Sequence, residues 1–275
     1  MSLMLKLSTL TVATTLLLSA EFNLEEYVKK DLVKNPNVKV NSVKLLEKRD
    51  IKDHPNWKIY MFVMDLDVKG KKDRYPETIF VNEKDGLTSM SLYDMKNHKP
   101  IGKDVRPNLS DAYYQDSHLI AGKKDAEHKL VVFSDPQCPF CIQNVPQIYK
   151  DVKANPDKFA LYYYHMPLLR IHPVSDTLTK VMEVLQKEGR IDDAMKMYSL
   201  KISPMERNED KILAEIKKQL NIDVKKEDIN KPEIKEQIRK DMNMAIDVML
   251  KGTPTVYIDG KFDPEVTSYK KFLKK

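Results

Sequence analysis

The chain has 275 residues, enough for two domains that each bury a core. Charged residues make up 32% and hydrophobic ones 41%, the balance of a globular protein rather than a disordered or fibrous one. The formal charge of +6 is small, and lysines are scattered among acids, as in KKEDINKPEIKEQIRKDM, which argues for a solvated surface and against a nucleic-acid partner.

The first twenty-two residues, MSLMLKLSTLTVATTLLLSAEF, read as a secretory signal peptide over 1–20. Lys6 supplies the positive charge, Leu7 to Leu18 the apolar stretch and Ser19-Ala20 the small residues before a cut. Leu18 departs from the pattern, which prefers a small residue there. No run of about eighteen apolar residues follows to span a membrane. Export predicts a periplasmic protein in an oxidising compartment, where a dithiol can cycle or persist as a disulfide.

Residues 21–105 read as one helix and a small antiparallel sheet. NLEEYVKKDLVKNP is a short amphipathic helix with Asn23 as cap, Glu26 at the capping-box position and Pro36 beyond its end. From Val38 to Met95 the period changes to two, with WKIYMFVMDLDV, ETIFVN and LTSMSLYDM as strands and DHPN, KGKKD and KDG as turns. A sheet of this size is marginal alone, so one face is expected to be buried against a second copy. Residues 106–127 form a polar linker carrying a predicted helix from Ser110 to Ile120.

The second unit, 128–275, opens with KLVVFS, an apolar strand of the kind buried on both faces. A helix from Pro139 to about Ala154 and the strand FALYYYH complete a βαβ unit with parallel strands. A helical insertion spans about 174–250, its first helix SDTLTKVMEVLQKEG capped by Ser175 or Asp176 and stopped by Gly189. TPTVYIDGKF then gives a strand, an Asp259-Gly260 hairpin turn and a second strand. Asp263 is predicted to cap a terminal helix with Pro264 in its first position.

The chemistry is concentrated in FSDPQCPFC, which holds the chain's two cysteines, Cys138 and Cys141. Pro139 suits the first helical position, which puts Cys138 at the N-cap and Cys141 on the same face one turn on. Helix N–H groups and the positive end of the dipole favour the Cys138 thiolate, so its pKa should fall into the range of about 3.5–7.5. Cys138 is then the attacking thiol and Cys141 the resolving one. A structural disulfide across so short a loop would constrain little of the unfolded chain. Zinc normally takes four ligands, there is no second cysteine pair, and of six histidines only His165 and His172 are candidates near the active domain, read more simply as a strand-end and a loop residue, so no metal is assigned. Thr253-Pro254 at a strand start is a second feature, because proline belongs at an edge or first strand position and X-Pro bonds alone readily turn cis.

The strand–CPFC–helix opening, the helical insertion and GTPTVYIDG with its terminal helix resemble the thioredoxin-fold thiol–disulfide oxidoreductases of the bacterial periplasm. The resemblance covers Lys129 to Lys275, and the architecture before it is similar to the DsbC/DsbG branch. It implies an α+β thioredoxin-like fold with a helical insertion, preceded by a cystatin-like dimerisation domain and a linker helix. It also implies a cis-proline loop at Thr253-Pro254 facing the CxxC, with Pro139, Phe140, Thr253 and Pro254 tuning the site and binding substrate. Thioredoxin and DsbA-type proteins carry a buried acid six residues before the first cysteine; Val132 stands there, as in the DsbC/DsbG type. Asp135 is a complication, since a carboxylate beside Cys138 would oppose thiolate formation, and the helix N-terminus is expected to win.

The expected function is a homodimeric disulfide isomerase or reductase acting on misfolded or oxidised exported proteins, with no cofactor. A membrane reductant of the DsbD type is implied by the resemblance. The rival in the same class is a DsbA-type oxidase served by a DsbB-type oxidant. Rivals of other classes are a copper-handling protein, drawing on Met195, Met197, Met242 and Met244, and a holdase chaperone. Methionine is a common core filler, which favours packing over copper for those four.

Overall fold

The computed structural model describes residues 22–102 and 105–273; the signal-peptide expectation falls on residues outside these. Among the described residues no helix is long and apolar enough to cross a membrane. The first helix, α1 (Leu24–Tyr27), is capped as predicted, with Asn23 Oδ1 accepting from Glu26 N–H at 3.1 Å, and continues as a π turn through Leu32. Strands β1 (Val38–Asp50), β2 (Trp57–Val68), β3 (Lys71–Asn82) and β4 (Leu87–Ser89) form an antiparallel sheet in that order. The hairpin β5 (Leu92–Asp94) and β6 (Lys99–Ile101) comes next. Tyr60, Phe62, Met64, Ile79 and Val81 on one face of the sheet bury Leu24 and Val28 of the helix.

The second sheet has five strands in the order β11 (Lys261–Asp263), β10 (Thr255–Ile258), β8 (His128–Ser134), β9 (Phe159–His165) and β7 (Leu119–Gly122). The β8–β9 pair is parallel and joined by α2 (Pro139–Ala154), as a βαβ unit requires, while the other pairs are antiparallel. Leu130, Val132, Leu161 and Tyr163 face α2 and the insertion helices; Val131, Phe133, Tyr162 and Tyr164 face Val248, Leu250 and Tyr113 on the other side. Both faces are covered, which is why β8 and β9 read as unbroken apolar runs.

The insertion comprises α3 (Ser175–Lys187), α4 (Ile191–Met195), α5 (Glu209–Leu220), α6 (Lys226–Ile229) and α7 (Pro232–Asp247). Asp241 of α7 is fully buried, accepting His165 N–H and facing His118 Nε2, each at 2.9 Å, and so ties the helix to the sheet. Helix α7 ends in a Schellman motif: Leu250 N–H donates to Ala245 O and Met249 N–H to Ile246 O. Met249 takes the left-handed position at φ 58°, where glycine is usual, and buries its side chain against Ile51, Ile59, Met61 and Phe80 of the N-terminal sheet. Arg74 of β3 adds an ion pair to Asp247 at 2.6 Å.

Three expectations are corrected. Ser110 to Ile120 is not a helix but two 3-10 turns, Asp111–Tyr113 and Asp116–His118, leading into β7. Leu119 to Gly122 find partners on the edge of β9, and Tyr113 is spread between Met244 O, to which its hydroxyl donates, and Tyr164, which donates to its carbonyl. A helix would forfeit both. Asp263 does not cap a helix starting at Pro264: its carboxylate takes N–H bonds from Glu265 and Ser268, Val266 sits at φ 65°, and the last helix is only α8 (Lys270–Leu273). Helix α3 is preceded by Val174 without a side-chain cap, because the Ser175 hydroxyl donates instead to Asp135 at 2.6 Å.

Candidate active site

Strand β8 delivers the chain into the turn 135–137, and Cys138 occupies the N-cap of α2 with Pro139 in the first helical position. Cys138 is 6% exposed and Cys141, directly behind it, is fully buried; both thiols are free. The Thr253-Pro254 bond is cis, and its loop stands across from the dithiol, so that the Cys138 thiol donates to Thr253 O at 3.2 Å. Phe140, 67% exposed, lies on the outer side of the same helical turn. The structure thus brings Cys138, Cys141, Pro139, Phe140, Thr253 and Pro254 to one place.

The two sulfurs are driven apart electrostatically. The Cys138 pKa is lowered from 9.0 to about 5, foremost by the Cys141 thiol donating to it; burial works against this, and Thr253 and the N–H groups of Cys141 and Phe140 add to it. Cys141 is pushed up, first by burial and then by serving as that donor. The expected cap is therefore modified: the protonated Cys138 side chain makes no cap hydrogen bond, and the helix N–H groups act on its thiolate. Thr253 Oγ1 is buried without a hydrogen-bond partner, yet lies close enough to favour the thiolate of either cysteine.

Asp135 poses no obstacle. Its carboxylate is turned inward and fully buried, holding Gln137 N–H and Leu168 N–H at 2.8 Å, the Ser175 hydroxyl at 2.6 Å and His172 Nδ1 at 2.9 Å. It pins the turn before Cys138 to the loop 168–172, which carries the exposed Leu169 and Ile171. His172, which the sequence offers only as a metal-ligand candidate or a plain loop residue, is thus a positioning residue. His165 ends β9 with its ring 3.7 Å from Glu183 Oε2. Among the described residues no group of three or more His, Cys, Asp and Glu side chains is placed to hold a metal ion. Met195 and Met197 are buried in the core beneath α2, and Met242 and Met244 pack against the opposite face of the sheet.

One group is almost invisible in the sequence. Ser134, at the end of β8, accepts from the Tyr198 hydroxyl at 2.6 Å, and Tyr198 is bonded to the Tyr163 hydroxyl at 2.7 Å, all three being buried. Alternation along β8 puts Ser134 on the face of Val132, toward α2, and that is the one signal that marks it.

The profile of a family described as Thioredoxin matches residues 115–275. Two proteins named "Probable disulfide bond formation protein D", from Bacillus anthracis and Bacillus cereus, are 30% and 29% identical over 187 residues, spanning 62% of this chain and 84% of each relative. The crystal structure of a thioredoxin-like oxidoreductase from Silicibacter pomeroyi superposes with a TM-score of 0.50 at 19% identity, covering 60% of this chain and 94% of that one. The fold, the paired cysteines and the family match over more than half the chain lead to one conclusion: the protein belongs to the thioredoxin family and has the fold of Dsb-type disulfide oxidoreductases.

Proposed function

We propose that the protein is an exported thiol–disulfide oxidoreductase of the DsbC/DsbG type, a homodimer that isomerises or reduces wrong disulfides in misfolded or oxidised proteins. One observation carries the thiol–disulfide chemistry: a thiolate-stabilised Cys138, at about 5, beside a cis-proline loop, with a protonated Cys141 behind it. The Cys138 thiolate attacks a substrate disulfide, forming a mixed disulfide and releasing one substrate thiolate. The substrate either rearranges or is released when Cys141 attacks Cys138. The loop at Thr253-Pro254 holds the substrate backbone in extended form beside the reacting sulfur. A membrane donor of the DsbD type keeps the pair reduced.

Cys138→Ser is expected to abolish the recovery of ribonuclease from its scrambled form in a glutathione buffer, and Cys141→Ser to accumulate mixed disulfides visible on non-reducing gels. Full activity in Cys138→Ser would overturn the assignment.

A DsbA-type oxidase, re-oxidised by a DsbB-type partner, is the second reading. It is favoured by relatives named for disulfide bond formation, and by the Cys138 thiolate, which stabilises the reduced form and so raises oxidising power. Acid-trapped cell extracts separate the two: an isomerase is found mainly as dithiol, an oxidase mainly as disulfide.

A further inference from the structure

Resolution of the mixed disulfide needs Cys141 as a thiolate, yet Cys141 is fully buried and burial holds its proton on. Val132, two residues before Ser134 on the same face of β8, is apolar and contributes nothing polar to the space behind Cys141. We propose that Ser134, Tyr198 and Tyr163 form a directed hydroxyl chain that donates a hydrogen bond to Cys141 Sγ and stabilises the thiolate through which each turnover passes. This rests on the reading of Cys138 and Cys141 as the working dithiol.

Proton counting gives the chain its direction. Tyr198 donates its one proton to Ser134 Oγ at 2.6 Å. At 2.7 Å from Tyr163, Tyr198 must then accept, so the Tyr163 hydroxyl is the donor. Ser134 keeps its own proton; it stands on the face of β8 toward α2, where Cys141, Tyr163 and Tyr198 share one buried cluster, and its side chain acts on Cys141 in the sense that favours the thiolate. Burial pushes both phenols up, so they remain protonated donors at neutral pH. Each donor is polarised by the one behind it. The other groups acting on Cys141 are Cys138, the Thr253 side chain and the Asp135 backbone. The chain joins three separate elements, β8, β9 and the turn after α4, so the helical insertion supplies part of the redox chemistry.

The step balances without an outside reagent. Cys141 Sγ gives up its proton and attacks Cys138 Sγ, and the Cys138–substrate bond breaks. The substrate sulfur leaves with the bonding pair and takes up a proton, while a Cys138–Cys141 disulfide forms. In the opposite direction Cys141 is the leaving thiolate, so the same donors serve an oxidase.

The test separates the two chemical steps in the full chain, using a peptide disulfide as probe and acid quenching with mass spectrometry as readout. Ser134→Ala and Tyr198→Phe should form the Cys138 mixed disulfide at the wild-type rate; Ser134→Ala should resolve it at least about tenfold more slowly, as loss of a hydrogen bond to a charged group implies, and Tyr198→Phe should slow resolution by less, since it acts through Ser134. General damage to the fold would slow both steps. Ser134→Thr, which keeps the donor, should restore resolution. Wild-type resolution in both Ser134→Ala and Tyr198→Phe overturns the chain and leaves the dithiol assignment standing. If the wild-type protein forms no mixed disulfide at Cys138, the assignment falls and the chain with it.

Discussion

Cys138 differs from a free cysteine because three kinds of donor converge on it: the Cys141 thiol, Thr253 and the first N–H groups of α2. This has a consequence for stability. A reduced unfolded chain holds the Cys138 proton up to its ordinary value of 9.0, and the folded one only up to about 5, so the folded dithiol carries the fewer protons between these values. A depressed pKa stabilises the reduced protein fully above the unfolded value, and the effect is lost as pH falls through the folded one. The oxidised protein has no such thiolate. The melting temperature of the reduced form, measured against the oxidised form, should therefore drop steadily between pH 7 and pH 5 and level off below about 5. A difference independent of pH over this range would refute the thiolate.

At the scale of elements, Met249 joins the two halves. A non-glycine residue in the left-handed region costs roughly 1–2 kcal/mol, so its burial in the N-terminal sheet must offset that. Met249→Ala keeps the backbone cost and removes the packing, and should destabilise by about 2–5 kcal/mol in urea denaturation. Met249→Gly relieves the backbone and should lose less; equal losses would show that the left-handed position carries no cost. Elements whose cause is local were legible in the sequence. Pro139 fixes the start of α2, the Trp57–Val68 run needs only its β-branched and aromatic side chains, and Asn23 caps the adjoining α1. The illegible elements depend on partners distant in sequence. Leu119 to Gly122 carry a helix-like pattern until the edge of β9 offers them hydrogen bonds, and Ser175 abandons its cap for Asp135, forty residues away. The cysteines of the site were legible because the motif is contiguous. Its support was not, because Ser134, Tyr163 and Tyr198 meet only in the folded chain.

For the molecule as a whole, the N-terminal sheet is docked on the catalytic half through Met249, Arg74 and Asp247 rather than held at a distance by a helical linker. Its free surface includes Leu87, Met90, Tyr93 and Met95, large apolar side chains about half or more exposed, and this stretch supports the proposed contact with a second copy. Leu87→Glu combined with Tyr93→Glu should convert a dimer to a monomer by sedimentation equilibrium while leaving the reaction of Cys138 with a small disulfide unchanged. A wild-type protein that is already monomeric at micromolar concentration would sink the dimer. Docking also makes the molecule a machine with little slack. From Met249, clamped in one sheet, to Thr253, whose carbonyl meets Cys138, the chain runs four residues, a tether of roughly 14 Å at full stretch. Any displacement of the N-terminal sheet at Met249 is passed along that tether to the loop that faces Cys138, with little spare chain to absorb it.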